Sequence, residues 1–504
     1  MVILTRILAF LEPPQASRRV VAIALILSLP ALFSPLTADD WAHEIKFSDE
    51  LSHPSVGGSG IGDIFVFVDG DPVKVATTLE DGFLPWWTAP DFKLAFARPL
   101  SAVTHWLDHQ IWPGNSYLIH AHSLVWFTLF LLAVVTLFRR FHSGPLAVVA
   151  LAIYAWDDAR GFVLSFAANR NALLAGLCAV LALIAHDRWR RDGWSIGAVL
   201  GPMLFAVGLL CGESALAITA FLFAYAITMD SGRLSRRLAR LIPYGVIAIV
   251  WQITYSGLGY GAAGSGVYVH PMIDPAFFFA RLLENAPILA QGQFGPIPAE
   301  WWLVYPPMIK GVVYGLSLII VATVCWLVRP LWREQAVIRF WAIGSALALI
   351  PITATFPHER LLIFVGIGAA AILATLFTQA VQAESMSRAR RLGISALVIV
   401  HLVMAPLLLP ARSYSVGFLD MAFSSFDQTT PTDESFSQKH MVIVSAFVDA
   451  MAGYQRWHRE VGGIPMSKTT RLLSTTDQAV TVTRVDAQSL RLRPKNGFYE
   501  TTAL

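Results

Sequence analysis

The sequence predicts an all-α integral membrane protein of about eleven transmembrane helices, with a long first external loop and a small external C-terminal region that is partly β. Three observations predict it. Of 504 residues, 55% are hydrophobic and only 14% charged, where a soluble protein carries about a quarter charged. Apolar runs of bilayer-crossing length recur along the chain. The turns between them alternate between basic and non-basic.

The runs fall at 19–36, 117–138, 145–158, 161–185, 195–211, 213–229, 240–255, 308–328, 338–356, 359–381 and 393–410. Arg18 and Arg19 precede the first; if they are cytoplasmic, every second loop should be basic. Each one is: "RRFH" at 139–142, "HDRWRR" at 186–191, "SGRLSRRLAR" at 231–240, "RPLWREQAVIR" at 329–339 and "SRARRL" at 387–392. The amino terminus is therefore expected in the cytoplasm and the carboxyl terminus outside. The external side receives loop 37–116, loop 256–307 and the tail. The first run has the basic flank of a signal peptide, but "SPLTADDW" offers no small-residue cleavage site, so it reads as a retained helix. The expected division is a multispanning membrane domain over 1–410 and an external region over 411–504, in the inner (plasma) membrane of a bacterium.

The external segments differ in texture. "SVGGSGIGDIFVF" at 55–67 reads as a flexible turn, and "PWWTAPDF" at 85–92 as an interfacial aromatic stretch. "AVTVTRVDAQSLRLRP" at 479–494 alternates with a period of two and predicts a hairpin about "DAQS". The net charge of +3 is small and the basic residues are scattered, which excludes nucleic acid as the expected partner. Cys178, Cys211 and Cys325 all lie in apolar runs without metal-ligand spacing, so neither a disulfide framework nor a zinc site is expected.

Charges set into apolar sequence are costly and point to protein or a watery cavity rather than lipid. Arg170 in "FAANRNALLAG" and Glu213 in "LLCGESALAI" are the strongest cases. Asp39 and Asp40 in "SPLTADDWAHE" stand where the chain leaves the first run. His120 and His122 are two apart and face different sides of a helix, which argues against a joint metal site; His401 in "VIVHLVM" reads as a core histidine. Trp86, Trp87, Trp301 and Trp302 read as interfacial anchors.

The order "ADD" after the first run, "FARPLSAVTHWLDHQIWPGNSYLIHAHS", "FAANRNALLAGLCAVLAL", "GLLCGESALAITAFLFAY" and "PHERLLIFVGIGAAAILA" resembles the GT-C superfamily of membrane glycosyltransferases, in its protein O-mannosyltransferase-like branch. The resemblance covers roughly residues 20 to 380 and rests on the order of short motifs. It implies an enzyme that moves a sugar from a polyprenyl-phosphate-linked donor to a protein, glycan or lipid acceptor at the external membrane surface. In such a site one of Asp39 and Asp40 would serve as the general base for the acceptor hydroxyl, Asp40 being preferred, and the other would orient it or bind the acceptor. Arg98, Arg170 and Arg360, with Glu213 beside them, would bind the donor and offset charge on the departing phosphate. A divalent metal is compatible with the many outer acids, and no compact ligand spacing assigns one. The chain departs from the family pattern in having Gly212 where a Lys is usual and Asn169 where a Gly is usual, and its tail has no helical repeat. Those departures keep two alternatives open: a non-catalytic polyprenyl-lipid-binding or envelope-assembly protein, and a transporter of a lipid-linked substrate.

Overall fold

The computed structural model describes residues 2–11, 15–48, 51, 61–446, 450–475 and 479–495. The protein is predominantly helical, and the apolar runs of the sequence fall on helices, run 161–185 being divided at Phe166 between Ala159–Ser165 and Arg170–Asp192. Among the described residues six helical segments are long and apolar enough to cross a membrane: Ala16–Phe33, Ser116–Phe141, Ala167–Asp192, Pro307–Glu334, Glu359–Gln382 and Arg388–Arg412. Shorter apolar helices stand between them, at Gly144–Ala155, Gly197–Cys211, Glu213–Thr228 and Ala336–Ile352. This is an integral membrane protein.

Local chemistry sets where the long helices begin and end. Asn115 opens Ser116–Phe141 by accepting the Leu118 N–H at 3.2 Å, and Arg139 and Arg140 close it where the helix dipole favours cations. Arg170–Asp192 ends at Gly193, whose φ of 72° is the left-handed turn that glycine adopts without strain. The basic turns gather at one end of the bundle and are tied down there. Arg140 pairs with Asp187 at 2.6 Å and with Asp192 at 2.8 Å, and Arg190 and Arg240 both reach Asp230 at 3.1 Å.

Between helices the packing is close. At Gly368 in Ile363–Gln382 a methyl group would lie 2.1 Å from Ser345 Oγ on Ala336–Ile352. A backbone that near its neighbour is the usual way to associate helices where lipid supplies no hydrophobic drive. Several helices fall outside the expected spans, two of them against the bundle. Helix Val2–Leu11 buries Leu4 and Leu11 against the bundle, and helix Pro275–Phe294 occupies much of loop 256–307, fixed by the Asn285 amide donating to Thr353 O and Thr355 O at 3.1 and 2.9 Å.

At the end opposite the basic turns, two segments far apart in sequence share one core. Helix Asp39–Phe47, the antiparallel strands Val66–Asp69 and Lys93–Ala95, and helix Pro72–Asp81 come from the first loop. Helices Ser415–Gln428 and Met451–Val461 and the parallel strands His440–Ile443 and Thr469–Leu472 come from the tail. Trp41, Phe67, Val75 and Phe83 of the loop pack against Phe423 and Trp457 of the tail. Strands Val480–Arg484 and Leu490–Pro494 form an antiparallel hairpin about "DAQS". The "SVGGSG" portion of the flexible stretch, at 55–60, lies outside the described residues.

Candidate active site

The acid pair opens a helix rather than a loop. Ala38, the residue before it, has φ 56° and is the only non-glycine residue with positive φ among those described. A backbone held in that sparsely populated region costs about 1–3 kcal/mol and turns the chain sharply from the first span into Asp39–Phe47. The two carboxylates then go to different partners.

Asp40 is buried and acts as a cap for another element. Its Oδ1 accepts the Ala168 N–H at 2.6 Å and its Oδ2 the Thr37 N–H at 3.3 Å. Ala168 lies in the short turn Ala167–Asn169 that starts helix Arg170–Asp192, so Asp40 satisfies a donor the helix cannot satisfy itself. Burial pushes its carboxyl up to about 8, against the pull of those backbone N–H groups. A cavity of about 20 Å³, room for one water, lies beside it and is lined by Asp40, His43, Glu44, His105, Asp108 and His109. Burial, reinforced by the Lys46 ammonium, holds His43 well below the usual imidazole range, so it is neutral there.

Asp39 is half-buried and accepts a hydrogen bond from the Tyr454 hydroxyl at 2.9 Å. Burial raises its carboxyl above the ordinary range, while Tyr454 and the Arg360 and Arg98 guanidiniums pull it back. Arg360 lies with its guanidinium 5.6 Å from the ring centroids of both Phe162 and Phe356. Among the described residues it has no carboxylate within ion-pair distance; its neighbour Glu359 is taken by Arg412 at 2.8 Å. Arg98 pairs with Glu213 at 2.9 Å and stacks over Phe96 at 4.5 Å and Phe65 at 5.1 Å. The Tyr255 hydroxyl meets the other Glu213 oxygen at 3.4 Å. Tyr268 stands among Arg360, Arg98, Asp39 and Glu213. Arg360 is thus near enough to act on the Asp39 charge and has no carboxylate partner among the described residues, with the Arg98–Glu213 pair and phenols nearby.

Four of the sequence-predicted residues thus gather here: Asp39, Arg98, Glu213 and Arg360. Asp40 lies next to them, turned toward the Ala168 N–H. Arg170 lies within reach of the Asp40 charge but is already paired. It is fully buried, and its fork is occupied by Asp108 at 2.5 Å, Ile119 O at 2.8 Å and Ser123 Oγ at 3.0 Å. His120 bonds Leu164 O at 3.1 Å and His122 bonds Asp108 at 2.6 Å, so both serve as fasteners between helices. Among the described residues no three His, Cys, Asp or Glu side chains are grouped to hold a metal ion.

No family model matches the sequence, and no curated protein matches it. As a structure the chain is similar to the Archaeoglobus fulgidus oligosaccharyltransferase. With an acceptor peptide containing the NVT sequon tethered by a disulfide, that protein gives 13% identity, a TM-score of 0.44, and coverage of 92% of this chain and 64% of that one. Its apo form gives 14%, 0.45, 91% and 65%. ArnT from Cupriavidus metallidurans bound to undecaprenyl phosphate gives 13%, 0.39, and 93% of each chain. The chain spans just under two thirds of the length of the archaeal protein it matches.

Sequence reasoning missed the residues that tie the site together. Tyr454 sits in the tail helix Met451–Val461, more than four hundred positions from Asp39, and a lone tyrosine in an amphipathic stretch carries no signal of its own. Tyr255 and Tyr268 are similarly silent. Arg412 did carry one: like Arg160 and Arg360 it is an arginine at an external run end, where the charge rule does not call for one.

Proposed function

We propose that the chain is a GT-C-type glycosyltransferase that moves a sugar from a polyprenyl-phosphate-linked donor to a hydroxyl acceptor at the external membrane surface. The observation that carries this reading is that Asp39 lies within reach of the charge of Arg360, which has no carboxylate partner among the described residues, at the end of the bundle opposite the basic turns. In this reading the chain crosses a bacterial plasma membrane about eleven times, with its amino terminus inside and residues 411–504 outside. The acceptor oxygen attacks the anomeric carbon, and its proton goes to the Asp39 carboxylate. The bond from that carbon to the phosphate oxygen breaks, and the polyprenyl phosphate leaves with the electron pair. Arg360 receives the growing negative charge, for which a planar bidentate guanidinium is suited. Arg98, held by Glu213, supplies a second positive field at the same place. Asp40 shapes the site by fixing the start of helix Arg170–Asp192.

The ordered sequence motifs support the same class of chemistry. Asp39→Asn keeps the shape of the side chain and removes the base, so turnover should fall about 10²- to 10⁴-fold with the fold intact. Sugar release from a polyprenyl-phosphate sugar in lipid nanodiscs measures it. Full activity in Asp39→Asn with an active donor would remove Asp39 from the role.

A further inference from the structure

Arg412 ends helix Ala405–Arg412 and is mostly buried, in a junction where four segments meet. Its guanidinium contacts Glu300, binds Glu359 Oε2 at 2.8 Å, and stands 3.9 Å from Asp158. Each acid comes from a different element: the 3₁₀ turn Ala299–Leu303, the 3₁₀ turn Glu359–Leu362, and the turn before helix Ala159–Ser165. Glu359 is held further by the Ala299 N–H, which it accepts at 3.3 Å. The backbone of Arg412 is pressed against the third element as well, since a methyl group on Gly161 would lie 2.5 Å from the Arg412 carbonyl carbon.

These contacts lie next to Arg360 in the chain and, among the described residues, do not include it. Glu359 is its chain neighbour, and helix Ala159–Ser165 carries Phe162, one of the two rings its guanidinium rests on. His358, whose ring packs on Phe162 at 4.5 Å, accepts the Arg360 backbone N–H at 3.2 Å. Asp157, Asp158 and Glu300 stand close enough to act on the Glu359 charge, with Arg412 as the cation bound to it and Arg160 3.9 Å from Asp157. Arg360 keeps no carboxylate partner among the described residues, and its chain neighbour Glu359 is held by Arg412 together with Glu300. A guanidinium already paired inside the protein would have to exchange that partner for a ligand phosphate; an unpaired one does not.

We infer that Arg412 is a positioning residue: by holding Glu300 and Glu359 it keeps Arg360 free, and oriented, for the phosphate of a polyprenyl phosphate. This rests on the phosphate role proposed for Arg360. In Arg412→Gln the two glutamates lose their partner and compete with the phosphate for Arg360.

The test is a double-mutant cycle on undecaprenyl phosphate binding in lipid nanodiscs, with the full chain. Arg360→Ala should weaken binding about ten- to hundredfold, the loss of a charge-assisted bidentate contact. Arg412→Gln should weaken it about tenfold when Arg360 is present and less than about twofold in the Arg360→Ala background, because interacting residues are not additive. A folded Arg412→Gln that binds like the parent protein, or an equal loss in both backgrounds, overturns the positioning role. If Arg412→Gln does not fold, Arg412→Lys takes its place in the cycle. It keeps the charge and loses the fork, and should weaken binding about threefold only when Arg360 is present; parental binding overturns the role. Unchanged binding in Arg360→Ala refutes the phosphate role itself, and the positioning role with it. The same holds if the parent protein binds no undecaprenyl phosphate.

Discussion

Asp40 and Asp39 are adjacent in sequence, but their environments predict opposite results from the same substitution. Burial moves the Asp40 carboxyl from an ordinary 3.8 to about 8, so in the folded protein at neutral pH it keeps its proton, while in the unfolded chain it does not. The sign follows from linkage. Between those two values the unfolded state has released a proton that the folded state retains, so rising pH favours unfolding. Asp40's contribution is most favourable below about pH 4, declines as pH rises, and is constant again above the folded value. Each unit of separation corresponds to about 1.4 kcal/mol, which gives a loss on the order of 4 kcal/mol by pH 7. Asp40→Asn is neutral in both states and still offers an oxygen to the Ala168 N–H. It should therefore remove this slope, leaving the variant at least as stable as the parent at pH 7.5 and no more stable at pH 4.5. Thermal unfolding in nanodiscs at a series of pH values, parent against variant, isolates the one group. Parallel pH dependences, or a variant less stable than the parent at pH 7.5, would refute the assignment of Asp40 as a neutral buried cap. The same variant should retain most of its glycosyl transfer, because the proposed base is the neighbour.

Three further outcomes follow from the geometry. Tyr454→Phe removes the hydroxyl that stabilises ionised Asp39, so the acid limb of the pH–rate profile should move to higher pH by up to about one unit; a limb that stays in place would detach Tyr454 from the base. Arg98→Gln leaves Glu213 without its 2.9 Å partner and should cost about 1–3 kcal/mol in denaturation, with part recovered in the double variant Arg98→Gln, Glu213→Gln. Gly161→Ala forces a methyl group to within 2.5 Å of the Arg412 backbone and should destabilise by about 1–3 kcal/mol as overpacking does; thermal unfolding reads it, and a neutral result would mean the junction is looser than described.

What the sequence by itself determined is the class of molecule and the rough position of its helices. Hydrocarbon-length apolar runs must satisfy their backbone internally, and helices do so locally, which is why the runs lie on helices without any knowledge of their neighbours. The hairpin about "DAQS" was legible for a like reason, since a period of two and a turn are local properties. Arg170 and Glu213 stood out as well, because charges in apolar surroundings show against their cost, whereas Arg98 and Arg360 were pointed to by the resemblance. The tertiary structure decided what each charge is used for. Arg170 and Arg360 are both arginines at apolar runs, but Asp108 of helix Pro99–Ile111 reaches Arg170 and closes its fork, while Arg360 has no carboxylate partner among the described residues and Arg412 holds Glu359. Asp39 and Asp40 could not be separated by adjacency; the turn at Ala38 sends one to Tyr454 and the other to Ala168. Those partners lie 415 and 128 positions away, and a hydrogen bond depends on where two chains meet in space, which a pattern read along one chain does not contain.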